Sequence, residues 1–147
     1  MAPDRQLVAT RLSALEEYLR FLFTIRDLDF ESFNSDPRNY ASAERFLQLA
    51  IETVFDIGTH CIASLGLPRP ARYGDILPTL AAASIIQAGT VQELANMAGF
   101  RNLLVHDYTR VDRRRVHEFL RSRLDGFRRF AADIATYLDT IERQDST

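Results

Sequence analysis

The chain has 147 residues, 46% hydrophobic and 26% charged, which is one domain's length with an ordinary globular composition and excludes a disordered or fibrous chain. Its net charge of −2, from 18 basic and 20 acidic residues, gives by itself no reason to expect a nucleic-acid ligand, and its single cysteine, Cys61, excludes an intrachain disulfide and a cysteine metal cluster. No apolar run approaches the roughly 20 residues of a membrane span. Met1-Ala2-Pro3-Asp4-Arg5 lacks a signal-peptide layout, so a cytoplasmic location with no membrane partner is expected.

Val8, Leu12, Leu15, Leu19 and Leu22 recur at spacings of three and four, the apolar face of an amphipathic helix over about Asp4 to Leu28. Asp29 to Asp36 is polar and reads as a turn. Asp36-Pro37 reads as a helix start, with an acceptor at the cap and proline at the first helical position. This second helix runs to about Leu65 with a broad apolar set: Phe46, Leu47, Leu49, Ala50, Ile51, Val54, Phe55, Ile57, Cys61 and Ile62. That surface exceeds what one small bundle needs; a second copy of the chain would cover it, and so would neighbouring helices. Cys61 is expected to pack in the core. Gly66 ends the helix, with Pro68 and Pro70 beyond.

A third helix opens at Tyr73-Gly74-Asp75, tolerates Pro78 in its first turn, and continues through Ile85 and Ile86 to Gly89. Thr90 and Glu93 form a capping-box pattern for a fourth, which Gly99 bends or interrupts before Phe100. The last helix starts at Asp112 and uses Val116, Leu120, Leu124, Phe127, Phe130, Ile134, Tyr137 and Ile141; the tail from Gln144 to Thr147 is expected to fray. No useful strand-like alternation and no internal repeat appears. The expectation is one domain over residues 1–147, an all-α bundle of four or five helices.

Chemistry concentrates in Phe100-Arg101-Asn102-Leu103-Leu104-Val105-His106-Asp107-Tyr108. On a helix, Arg101 and Tyr108 share a face, and Asn102 and His106 share a neighbouring one. Leu103 and Leu104 point toward the core. A histidine exchanges protons near neutral pH, and an arginine beside it binds a phosphate and stabilises charge developing there. The pair suits RNA cleavage by the ribose 2′-hydroxyl, a scheme that requires no metal. The same residues also fit a structural role, with Arg101 paired to Asp107 or a helix end and His106 a hydrogen-bonded, partly buried histidine. Spacing alone does not choose.

Arg101 to Tyr108 resembles the Arg-x4-His-x-Tyr signature of HepT-type toxins, a branch of the HEPN-domain ribonucleases. Asp56-Ile57-Gly58-Thr59-His60, Pro70 to Leu77 and Met97-Ala98-Gly99-Phe100 resemble the family's pattern as well, so the likeness spans most of residues 5 to 140. The resemblance implies a HEPN-type helical bundle working as a homodimer, with a cleft at the interface and RNA as substrate. It implies Arg101 and His106 as catalytic, Asn102 in support, and Tyr108 as acceptor of AMP. The AMP comes from ATP through a cognate minimal nucleotidyltransferase, the antitoxin of a type II or type VII-like pair; no cofactor is expected in this chain. The alternative is a non-catalytic HEPN module that partners a nucleotidyltransferase. A purely structural dimerisation domain would have no need of the polar cluster.

Two further features carry expectations. Glu52, Asp56 and His60 fall at i, i+4 and i+8 on the second helix; without an evident fourth ligand they read as cleft support, not a metal site, with Glu52 or Asp56 orienting His106. The near-neutral total hides an asymmetry: Arg101 to Arg129 holds nine arginines and four acids, the remainder nine arginines and sixteen acids, and the chain has no lysine. Arg110, Arg114, Arg121 and Arg128 are candidates for contact with RNA or an acidic antitoxin, the last three recurring every seven residues; a solvated face is the plain alternative. His117 is expected to be exposed, and Tyr40 and Tyr73 to pack or line the cleft.

Overall fold

A computed structural model describes residues 2–106 and 111–145, with His106 described through its backbone alone. Helix α1 (Arg5–Ile25) is capped by Asp4, whose carboxylate accepts the Leu7 N–H at 3.1 Å. Its expected stripe is buried at Val8, Leu15, Leu19 and Leu22. The polar stretch read as a turn is instead α2 (Phe30–Ser35). Asp29 caps it by accepting the Ser32 N–H at 2.7 Å, and Phe33 is fully buried. One cap and one tertiary anchor outweigh its shortness and polarity.

Helix α3 (Pro37–Ser64) starts as expected, with Asp36 accepting the Arg38 N–H at 2.9 Å. It ends at Gly66, whose φ of 72° only glycine takes without strain. The Gly66 N–H reaches Ala63 at 3.0 Å and the Leu67 N–H reaches Ile62 at 3.4 Å, closing the last carbonyls. A 3-10 turn, Tyr73–Asp75, leads into α4 (Ile76–Ala82). That helix stops well before Gly89. Ser84 takes the left-handed place at φ 61°, and the Ile85 N–H bonds back to Leu80 at 2.9 Å. Ile85 and Ile86 remain buried, but outside the helix.

Helix α5 (Ala88–Glu93) begins before Thr90, so the capping box does not form. The Thr90 hydroxyl donates instead to Asp133 at 2.6 Å, and the same carboxylate accepts the Gln87 N–H at 3.1 Å. The cap is supplied from far along the chain, which local sequence does not reveal. Asn96, at φ 66°, separates α5 from α6 (Met97–His106); the break falls there and not at Gly99, which lies inside α6. Helix α7 (Arg113–Asp145) begins at Asp112, which accepts the Arg114 N–H at 3.1 Å. It stays helical through Gln144 and Asp145; the last two residues of the expected frayed tail lie outside the described residues.

The described residues are thus all-α, with seven helices in place of the four or five expected. Helices α1, α3 and α7 pack together as the main layer; α4 and α6 lie on α3, and α5 bridges α4 and α7. Leu47, Ala50, Ile51, Val54, Phe55, Ile57, Cys61 and Ile62 are all buried within one chain and Phe46 and Leu49 are half-buried, so neighbouring helices cover most of the apolar face of α3. The expectation of an exposed His117 is corrected. His117 is only 7% exposed: it faces inward, between the rings of Phe30 and Phe33, with Nε2 2.7 Å from the Leu28 carbonyl. No described helix is long and apolar enough to cross a membrane.

Cys61 is fully buried, as expected, and burial pushes its thiol up to about 11. The thiolate is the reactive form, so the native protein at pH 8 should resist a disulfide reagent that labels the unfolded chain at once. Equal labelling rates for native and unfolded protein would show that α3 opens readily.

Candidate active site

Met97, Phe100 and Leu104 anchor α6 from behind: all three are buried, and Phe100 stacks on Phe119 with ring centroids 4.1 Å apart. This packing turns Arg101 along α3. Its Nη2 lies 3.6 Å from Glu52 Oε1, and its guanidinium carbon sits 4.9 Å from the centre of the Tyr73 ring. Tyr73 in turn stacks on Phe55 at 5.0 Å, and Gln48 donates to Glu52 at 3.3 Å. The Arg101 side chain is 19% exposed, and its Nε is buried without a hydrogen-bond partner among the described residues. A charged group so placed retains donors that Glu52 does not occupy, since 3.6 Å is an ion-pair contact longer than a hydrogen bond. A cavity of about 270 Å³ is walled by Phe55, Tyr73, Leu77, Leu94, Asn96 and Met97; it shares Tyr73 with the Arg101 contact, but neither Arg101 nor Glu52 lines it.

Of the expected support residues, Glu52 is the one in contact with Arg101 among the described residues. Asp56 is exposed on α3. His60 accepts the Asp4 N–H on Nε2 at 2.9 Å and so serves the start of α1. The physical reason is drift: positions i, i+4 and i+8 rotate by roughly 80° in total around a helix. No group of three or more His, Cys, Asp or Glu among the described residues could hold a metal ion. Asn102 is exposed. His106 ends α6, while its side chain, Asp107, Tyr108 and Arg110 lie outside the described residues.

Several arginines of α7 rest on aromatic rings, which the spacing of their charges does not show. Arg113 lies 3.7 Å over Tyr40 and donates to Asn34 at 3.3 Å; Arg114 lies 4.1 Å over Phe30, and Arg128 3.7 Å over Phe23. Arg121 is exposed. Tyr73, expected to pack or line the cleft, is the ring against Arg101 and stays 43% exposed.

Comparison with known proteins places the chain in a family. Residues 12–134 match the family model described as ribonuclease HepT-like. A tRNA nuclease HepT from Aphanizomenon flos-aquae (strain 2012/KM1/D3) is 25% identical over 138 residues, 94% of each chain. Among solved structures, the fold is similar to the cytosolic protein YutE from Bacillus subtilis, with a TM-score of 0.81, 23% identity and coverage of 94% of this chain and 92% of that one. It is similar as well to a tri-AMPylated HEPN toxin from Shewanella oneidensis in complex with an MNT antitoxin, with a TM-score of 0.79, 22% identity and coverage of 90% and 99%. With the family model matching most of its length and the fold agreeing, the chain belongs to the ribonuclease HepT-like family.

Proposed function

We propose that this chain is the toxin of a toxin–antitoxin pair and acts as a metal-independent endoribonuclease. The observation that carries the reading is Arg101: a mostly buried guanidinium, fixed by Glu52 and Tyr73, with donors left for an anion. In the proposed step, His106 accepts the proton of a ribose 2′-hydroxyl as its oxygen bonds to the adjacent phosphorus. The bond to the 5′-oxygen breaks, that oxygen takes a proton, and a 2′,3′-cyclic phosphate remains. Arg101 holds the non-bridging oxygens, where charge builds. Asn102 supports the pair from the same helix. The similarity to a tRNA nuclease makes tRNA the first substrate to test.

The reading includes a homodimer, whose second copy contributes its own Arg101 and His106 to a shared cleft, and a partner nucleotidyltransferase that moves AMP from ATP onto Tyr108. A nucleotide there would block the cleft and repel RNA phosphates. Structural neighbours that are toxin–antitoxin complexes, one bound to AMP-PNP, support such a partner.

The test is cleavage of bulk tRNA by wild-type and His106→Ala protein in the presence of EDTA. Wild-type activity that the substitution abolishes is expected; equal rates would overturn the assignment. Intact mass after co-expression with the neighbouring nucleotidyltransferase should rise by AMP units, and Tyr108→Phe should prevent it. A harmless wild-type protein that leaves tRNA intact yet binds the nucleotidyltransferase would make it a binding module instead.

A further inference from the structure

We infer that the first half of α7, with the end of α1 and α2 beneath it, forms a second RNA-contacting face that grips phosphates away from the point of cleavage. The inference takes its ligand from the ribonuclease reading above and adds a surface to it. Residues 113–129 carry seven arginines against Glu118 and Asp125, whereas residues 130–145 carry only Arg143 against Asp133, Asp139, Glu142 and Asp145. The basic charge is therefore confined to the half of α7 that begins just after the motif. Arg114, Arg121 and Arg128 are exposed, and seven-residue steps set them about 10.5 Å apart along one stripe.

The acids nearest this stripe on α7 do not pair with it. Asp125, one turn from Arg121, reaches Arg26 at 3.6 Å instead. None of Arg114, Arg121 and Arg128 has a carboxylate within 4.0 Å among the described residues. What holds two of them is aromatic: Arg128 on Phe23 and Arg114 on Phe30. A guanidinium resting on a ring has already lost side-chain freedom, while its in-plane N–H edge still matches two phosphate oxygens.

The face fits RNA better than a protein. Stable protein interfaces need apolar anchors at their centre. Among the described residues the exposed large hydrophobic side chains are Leu7, Leu65, Leu67 and Tyr73, none of them on α7. Evenly spaced, unpaired cations match a repeating polyanion.

The experiment measures binding of a fluorescein-labelled oligouridylate to the full chain carrying His106→Ala, which keeps the probe uncleaved, across a salt series. Arg114→Gln, Arg121→Gln and Arg128→Gln are combined in one variant, with thermal melting to establish that it folds. Each lost phosphate contact should lower the slope of log affinity against log salt by about 0.7, so the triple variant should lose about 2. Its affinity deficit should then shrink about twentyfold between 50 and 200 mM salt. Phe23→Leu with Phe30→Leu keeps the charges and removes the rings; a loss of about two- to fivefold at unchanged slope is expected. An unchanged slope in the triple variant overturns the inference. So does unchanged RNA binding with loss of binding to the partner nucleotidyltransferase, which makes the face a protein dock. The ribonuclease reading fails separately, if wild-type protein leaves tRNA intact, and oligouridylate binding still reads out in that case.

Discussion

Replacing Arg101 with alanine is expected to slow single-turnover cleavage of bulk tRNA by about 100- to 1,000-fold, with the melting temperature close to wild type. In the proposed step the rate falls because negative charge grows on the phosphoryl oxygens as the 2′-oxygen attacks, and Arg101 is the cation proposed to meet it. Glu52 and Tyr73 pre-set that guanidinium, so little reorganisation is needed at the moment of reaction. Arg101→Lys should rescue poorly, since an ammonium has neither the planar fork nor the same contact with the ring. Glu52→Gln should cost less than Arg101→Ala, because it loosens the guanidinium without removing it. Stability should hardly change, since the ion pair is partly exposed and such pairs contribute little. Wild-type cleavage by Arg101→Ala would mean that the phosphate is held elsewhere.

The second large effect concerns stability and comes from Gly58. A Cβ there would stand 2.6 Å from Ile76 Cγ2 and 3.1 Å from Leu80 Cδ1, both on α4. Gly58→Ala is therefore expected to destabilise by about 1–3 kcal/mol through overpacking. At about 2–4 °C per kcal/mol for a chain of this size, the melting temperature should fall by several degrees. Gly99→Ala, also within a helix, is the contrast: nothing lies within 4 Å of its added Cβ. It should stabilise by about 0.5–1 kcal/mol, because alanine suits a helix better than glycine. Thermal denaturation of the two variants checks both signs, and a Gly58→Ala melting point at or above wild type would show that α4 gives way freely. The effect also reaches the site. The Tyr73–Asp75 turn leads directly into α4, so displacing α4 would move Tyr73 away from Arg101.

The fold was legible wherever the deciding chemistry is local. Asp36-Pro37, Gly66 and Asp112 mark helix ends through bonds to residues two or three positions away, and those ends fall where expected. It was illegible where a distant group decides. Thr90 looked like a cap because its binding partner, Asp133, lies on another helix. Ser84 occupies a position usually given to glycine, so the end of α4 left no mark. His117 sits among arginines in sequence, and only the α1–α2 junction folded against it makes its side of α7 internal. The site divides the same way. Arg101 stood out through its own motif, but Glu52, Tyr73 and Phe55 meet it only once α3, α6 and the turn before α4 are packed. Spacing alone did not show that Glu52 contacts Arg101 while His60 accepts the Asp4 N–H, because successive turns rotate around the helix.

The way α1 and α7 are fastened together also bears on timing during synthesis. At the start of α1, Arg5 donates to the Leu138 carbonyl at 3.1 Å and pairs with Glu142, both near the far end of α7. Helix α1 therefore waits for α7, and Val116, Leu120, Leu124 and Phe127 must arrive before α1, α3 and α7 close together. Contacts of such long sequence separation form late and slowly. A nascent chain that has already exposed Arg101 still lacks Phe119, against which Phe100 seats α6. Chain order thus leaves α6 without its support until α7 emerges.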